Sequence, residues 1–211
     1  MNSICIFGGT FNPIHNGHLL IAEEIRNRYE FQKIIFVPSY VSPHKTADGV
    51  IDAQYRLTMT FLATVSNPSF DVSDIEVNRG GKSYSIDTVY FFKKVYESVE
   101  DCQLYFLIGA DILAQLPSWK NIDEIIKMCR FIVVSRKGYN ATDIINRMFL
   151  SSNATSAAQT LLDNIVIEET NYYDISSSEI RSRIEKRKSI KYLVPESVEQ
   201  FIYHKHLYFQ E

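Results

Sequence analysis

Apolar residues follow two alternating patterns along the chain. Short β-type runs occur at Ile4 to Phe7, Lys33 to Val37, Phe70 to Val77, Gln103 to Ile108, Arg130 to Val134 and Asn164 to Ile167. Runs of this kind predict strands. Between them, Gly17 to Tyr29, Asp52 to Val65, Ser85 to Tyr96 and Ile122 to Met128 carry apolar residues at spacings of three and four, as Ala22, Ile25 and Tyr29 show for the first. These stretches predict amphipathic helices. The alternation as a whole predicts an α/β fold, a doubly wound and mostly parallel sheet with helices on both faces.

The last third is built differently. Gly138-Tyr139-Asn140 reads as a turn, and the stretch from 139 to 163 reads as an insertion with a helix near Asp143 to Phe149 and a Ser/Thr/Asn/Ala-rich remainder. A small helical C-terminal part over 176–211 follows, with helices at Ser176 to Arg187 and Pro195 to His204. Ser176 with Glu179 three residues on marks the first start, and Pro195 marks the second. No internal repeat is visible, and 211 residues suit one domain.

Composition narrows the function classes. With 45% hydrophobic and 22% charged residues and a formal net charge of −3, the chain has the make-up of a globular protein and no basic face for nucleic acid. No stretch approaches a membrane span and no signal segment opens the chain, so a cytoplasmic protein is expected, with no membrane partner. Cys5, Cys102 and Cys129 are far apart and lie in or beside apolar runs, which reads as buried thiols rather than disulfides or a metal site.

The chemistry sits where strands end. Gly8-Gly9-Thr10-Phe11-Asn12-Pro13-Ile14-His15-Asn16-Gly17-His18 joins the first strand to the first helix. The two glycines predict a sharp turn close to a ligand, and the helix start predicts N–H groups that attract an anion, with both imidazoles at its mouth. Lone histidines are often structural and HxxH is half a metal site, but no carboxylate or third histidine stands at ligand spacing. Neither GxxxxGK[ST] nor a GxGxxG after a strand is present, which excludes the usual P-loop and the dinucleotide-cofactor loop.

Four further clusters fall at the same predicted edge, where open parallel sheets bind ligands. Ser42-Pro43-His44-Lys45 offers a mobile cation, either solvent-facing or on phosphate. Glu76 to Thr88 is a turn running into a helix, read either as a cap with a Glu76–Arg79 surface pair or as a carboxylate site at Tyr84 to Thr88. Gly109-Ala110-Asp111, Trp119 and Arg136 offer a ribose acceptor, a flat face and an anion clamp, and the polar neighbours of Trp119 favour an exposed edge over a core position. Ile175-Ser176-Ser177-Ser178-Glu179-Ile180-Arg181 places hydroxyls at a helix start and Arg181 on the same face as Ser178, suited to β- and γ-phosphates.

Together GGTFNPIHNGH, SPHK, RGGKSYSIDT, GAD, LPSWK, VVSRKG and ISSSEIR resemble, in order and over nearly the whole chain, the bacterial nicotinate-nucleotide adenylyltransferase family of HxGH nucleotidyltransferases. The resemblance implies a Rossmann-like fold and transfer of AMP from ATP to nicotinate mononucleotide, giving deamido-NAD and pyrophosphate, with Mg²⁺. It implies catalytic roles for His15, His18, Lys45 and Arg181. ATP would be held by Gly8, Gly9, Thr10, Phe11, His15, His18, Gly109, Asp111, Ile175, Ser176, Ser177, Ser178 and Arg181. The pyridine nucleotide would meet Lys45, Tyr84, Thr88, Asp111, Trp119 and Arg136. The chain departs from the family's pattern at Asn12, Ser42 and Ser178, which stand where Asp, Pro and Thr are frequent. A homo-oligomer stays open. A sister transferase acting on phosphopantetheine or a cytidylyl acceptor, or a non-catalytic nucleotide sensor, is the alternative reading.

Overall fold

A computed structural model describes residues 2–43, 49–136, 163–171 and 174–209. Six strands, β1 (Ser3–Gly9), β2 (Lys33–Pro38), β3 (Phe70–Val72), β4 (Gln103–Gly109), β5 (Arg130–Arg136) and β6 (Ile165–Thr170), pair in parallel in the order β3-β2-β1-β4-β5-β6. In register, Phe7 lies between Phe36 and Leu107 at the centre of the sheet. The chain winds outward from β1 to β3 and returns to start again at β4. That reversal opens a crevice beyond the carboxyl ends of β1 and β4.

Strand alternation sends the two halves of each apolar run into two cores. On one face Cys5, Phe7, Phe36, Leu107 and Ile132 pack against helices α1 (Asn16–Tyr29) and α2 (Ala53–Thr64), and the C-terminal helices α7 (Ser177–Glu185) and α8 (Glu196–His204) join the same core. On the other, Ile4, Ile6, Val37, Phe106 and Phe131 pack against α4 (Ser85–Val95), α5 (Ala110–Leu113) and α6 (Ile122–Met128). Burial of this continuous kind is what an all-parallel sheet requires, because both of its faces are covered. No helix among the described residues is long and apolar enough to cross a membrane.

One predicted strand is shorter than expected. The run Phe70 to Val77 gives only β3, followed by α3 (Ile75–Arg79). Ser73 and Asp74 interrupt it: the Ser73 hydroxyl accepts from the Ile75 N–H at 3.4 Å, and Asp74 accepts from the Asn78 side chain at 2.7 Å. Side chains that offer local partners to the backbone and to the next turn favour helix initiation over the ladder. The helix expected at 143–149 and all but the end of the insertion expected over 139–163 lie outside the described residues.

Candidate active site

The segment after β1 takes a different path from the one the two glycines suggest. Gly8 and Gly9 belong to β1 itself. A Cβ on Gly8 would stand 3.0 Å from the Phe106 ring and one on Gly9 2.9 Å from the Phe11 ring, so glycine there answers to packing rather than to a turn. The turn comes at Phe11, whose φ of 46° lies in the left-handed region, and continues through a cis Asn12–Pro13 peptide to His15, the N-cap of α1.

His15 and His18 meet face to face at that cap. Their rings stack with centroids 3.7 Å apart and 25° between planes, and the His15 backbone N–H donates to His18 Nδ1 at 3.3 Å. With Nδ1 accepting, a neutral His18 carries its proton on Nε2. Phe7 and Phe11 hold the His18 ring edge-on from the core side. His15 is buried, its Nδ1 has no hydrogen-bond partner among the described residues, and burial pushes its pKa down to about 4. At neutral pH His15 is therefore an uncharged dipole and not a cation. Gly17 is needed here, since a Cβ would come 3.0 Å from His15 Nδ1.

The row of helix-start amides is less open than expected. Asn16 N–H donates to the Leu193 carbonyl at 2.9 Å and His18 N–H to the His15 carbonyl at 3.0 Å. The imidazoles, with the dipole of α1 behind them, are what this end presents.

The ISSSEIR segment closes on the same turn. Ser176 caps α7 by accepting from the Glu179 N–H at 3.2 Å, and its hydroxyl lies 3.2 Å from that of Ser178. Ser177 donates to the Pro13 carbonyl at 2.8 Å, and Arg181 Nη1 donates to the Asn12 carbonyl at 2.8 Å. Ile175 lies beside Gly17. Two motifs separated by some 160 residues thus share one turn.

Asn12 itself is buried, donating through Nδ2 to the Gly49 carbonyl at 2.8 Å while its Oδ1 accepts from the Tyr208 hydroxyl at 2.9 Å and from the Ile51 N–H at 3.4 Å. An amide donates and accepts at once; an ionised aspartate at this position would lose the Gly49 bond.

On the other side of the crevice, Gly80 and Gly81 adopt φ of 70° and 68°, the left-handed turn that only glycine takes without strain. The turn brings Ser83 beside the strand-two exit, where its N–H donates to the Val41 carbonyl and its hydroxyl accepts from the Tyr40 N–H, both at 2.9 Å. Tyr84 then caps α4, and Lys120 Nζ sits 4.7 Å from the centre of its ring. Tyr84 and the loop that carries Trp119 and Lys120 are thus neighbours.

Three expectations in this region are corrected. Thr88 is wholly buried and its hydroxyl donates to Glu76 Oε1 at 2.5 Å, so this side chain supports the turn from beneath rather than bordering a ligand. Glu76 is buried, not half of a surface pair; burial raises its pKa, against the lowering effect of the Thr88 and Ser83 hydroxyls. Trp119 is half-buried, its ring meeting Phe106 and Phe131 edge-on at 5.7 and 5.9 Å, so much of it belongs to the core. Asp111 is exposed on the first turn of α5, one residue after Ala110 and beside Gly109 at the end of β4. Arg136 ends β5, its side chain lying outside what is described, as does the whole of Lys45.

The cytidylyltransferase-like family model matches residues 6–183, from within β1 to within α7. A Thermoanaerobacter sp. (strain X514) protein named "Probable nicotinate-nucleotide adenylyltransferase" is 43% identical over 204 residues, covering 96% of this chain and 92% of its own length. The chain belongs to the nicotinate-nucleotide adenylyltransferase family. A second member, from Bacillus pumilus, is 38% identical with 99% of each chain covered. The Plasmodium falciparum nicotinic acid mononucleotide adenylyltransferase complexed with NaAD shares the fold, with a TM-score of 0.73, 19% identity, and 99% of this chain and 98% of that one covered. The family's fold and enzyme class thus stand for this chain: a Rossmann-like nucleotidyltransferase.

Proposed function

We propose that the chain transfers AMP from ATP to nicotinate mononucleotide, releasing pyrophosphate and deamido-NAD, at the crevice between the β1 and β4 ends. The observation that carries this reading is the joint turn at Asn12–Pro13, which holds the stacked His15–His18 pair and the Ser177–Arg181 face together. A phosphate oxygen of the acceptor attacks the α-phosphorus of ATP, a new P–O bond forms, and the bond to the β-phosphate bridging oxygen breaks, with its electron pair leaving on pyrophosphate. An acceptor phosphate with a second pKa of about 6 is largely ionised at neutral pH, so no general base is required. Catalysis then consists of positioning and charge stabilisation.

In this reading His15 and His18 donate N–H groups to the oxygens of the α-phosphorus. Gly8, Gly9, Thr10 and Phe11 form the floor. Ser176, Ser178 and Arg181 hold the distal phosphates; a guanidinium has five N–H donors, and Arg181 spends one on the Asn12 carbonyl. Asp111 and Gly109 take the ribose side. Tyr84 and the exposed part of Trp119 flank the pyridine ring, and Lys45 and Arg136 meet phosphate or carboxylate charge. Mg²⁺ belongs to this reading as the companion of the ATP phosphates. Among the described residues no three carboxylate, imidazole or thiolate side chains converge into a cage for it, and no step here runs through the ion.

The test is ATP-dependent pyrophosphate release with nicotinate mononucleotide, nicotinamide mononucleotide and phosphopantetheine as acceptors. Fastest turnover with nicotinate mononucleotide is expected. Turnover with phosphopantetheine alone would transfer the reading to the sister enzymes, and none with any acceptor would favour a sensor.

A further inference from the structure

Arg56 is the largest wholly buried side chain among the described residues, although α2 carries it in a helix that otherwise buries small and apolar side chains. Its three nitrogens donate to carbonyls of three separate segments: Nη1 to Thr10 at 2.7 Å, Nη2 to Tyr40 at 2.9 Å and Nε to Ile51 at 3.1 Å. Thr10 follows the end of β1, Tyr40 follows the end of β2, and Ile51 leads into α2. One guanidinium therefore ties together the two strand exits on one side of the crevice and the segment that runs beneath them. The left-handed backbone of Phe11, directly after Thr10, is a conformation that persists only where its surroundings dictate it.

The carbonyls satisfy the fork but carry no formal charge. Among the described residues no carboxylate oxygen lies within the 4.0 Å of an ion pair with Arg56. Asp52, whose charge reaches it, is exposed and accepts from the Gln54 N–H at 2.7 Å. A cation removed from water whose hydrogen bonds, among the described residues, all go to carbonyl dipoles is expensive, and burial lowers the Arg56 pKa while the guanidinium stays charged at physiological pH. A folded protein that keeps such a charge directly under a loop read as a phosphate site gains when an anion binds above it.

We infer that Arg56 is a positioning residue for the nucleotide phosphates: its fork fixes the Thr10–Asn12 turn against Tyr40 and Ile51, and its charge, hydrogen-bonded among the described residues only to carbonyls, is completed by the anion bound on that turn. The inference rests on the reading of residues 8–18 as the triphosphate site.

The experiment compares wild type with Arg56→Gln, which removes the charge, and Arg56→Lys, which keeps the charge but not the fork. Affinity for inorganic pyrophosphate and ATP is measured by calorimetry, KM for ATP and for nicotinate mononucleotide by pyrophosphate release, and folding by thermal melting. Arg56→Gln is expected to weaken pyrophosphate and ATP binding about tenfold and Arg56→Lys, which keeps the charge but loses the fork, about threefold, with the acceptor KM unchanged within about twofold in both. Should Arg56→Gln not melt cooperatively, Arg56→Lys decides, through an ATP KM raised above wild type with the acceptor KM unmoved. Variants that bind both anions like wild type, or that lose ATP and acceptor equally, overturn the inference alone. Wild type that binds neither pyrophosphate nor ATP overturns the reading of the loop, and the inference with it.

Discussion

His15 is the buried member of the stacked pair at the α1 cap. Its folded pKa of about 4 lies below the ordinary 6.5, so between those values the unfolded chain binds more protons than the folded one. Stability supplied by the neutral ring is complete above pH 6.5 and lost as pH falls toward 4, by at most roughly 3 kcal/mol. Denaturant titrations from pH 7 to 4.5 should therefore show wild type losing stability more steeply than His15→Gln; parallel slopes would mean that His15 is not buried as described. Glu76, whose pKa is raised, contributes with the opposite sign, but equally to both proteins. The His15–His18 pairing is legible in the spacing of the motif; the neutrality of His15 is not, because its burial at the α1 cap against the His18 ring is a tertiary fact. Arg56 and Glu76 were likewise hidden, since a charged letter in an amphipathic stretch reads as solvent-facing until the packed face is known. The one available signal for Arg56 was its place three, four and seven residues before the buried Met59, Thr60 and Ala63.

At the scale of elements, α7 closes on the Asn12–Pro13 turn, and its hold on that loop is tested through Ser177. Ser177→Ala removes the bond to the Pro13 carbonyl, which should cost about 1 kcal/mol in denaturant unfolding. It should also raise KM for ATP while leaving KM for the acceptor in place; an unchanged ATP KM would detach α7 from the nucleotide. Strands were read well wherever the apolar run was continuous, as in β1, β2, β4 and β5, because burial on both faces leaves no polar gap to confuse the period. Phe70 to Val77 differs for the converse reason: apolar and polar residues alternate only up to Ser73, and Asp74, which breaks the alternation, is the cap of α3 rather than a strand position. The Ser176 cap and the Pro195 start were carried by local chemistry and appeared close to where the residues place them.

Over the whole molecule, the strand order decides which loops meet. Reversal between β1 and β4 gathers the segments after β1, β2 and β4 and the start of α7 at one edge, and the bridge between Val41 and Lys82 brings the Tyr84 turn to them. The sequence showed that these clusters follow strands; their three-dimensional partners, such as Tyr208 on Asn12 across the length of the chain, depended on how the C-terminal helices return over the sheet. The account stands or falls on His18. Steady-state pyrophosphate release with ATP and nicotinate mononucleotide, measured on wild type and on His18→Ala with matched thermal melts, should show kcat reduced on the order of a hundredfold or more in the variant. A folded His18→Ala protein turning over at the wild-type rate would contradict it.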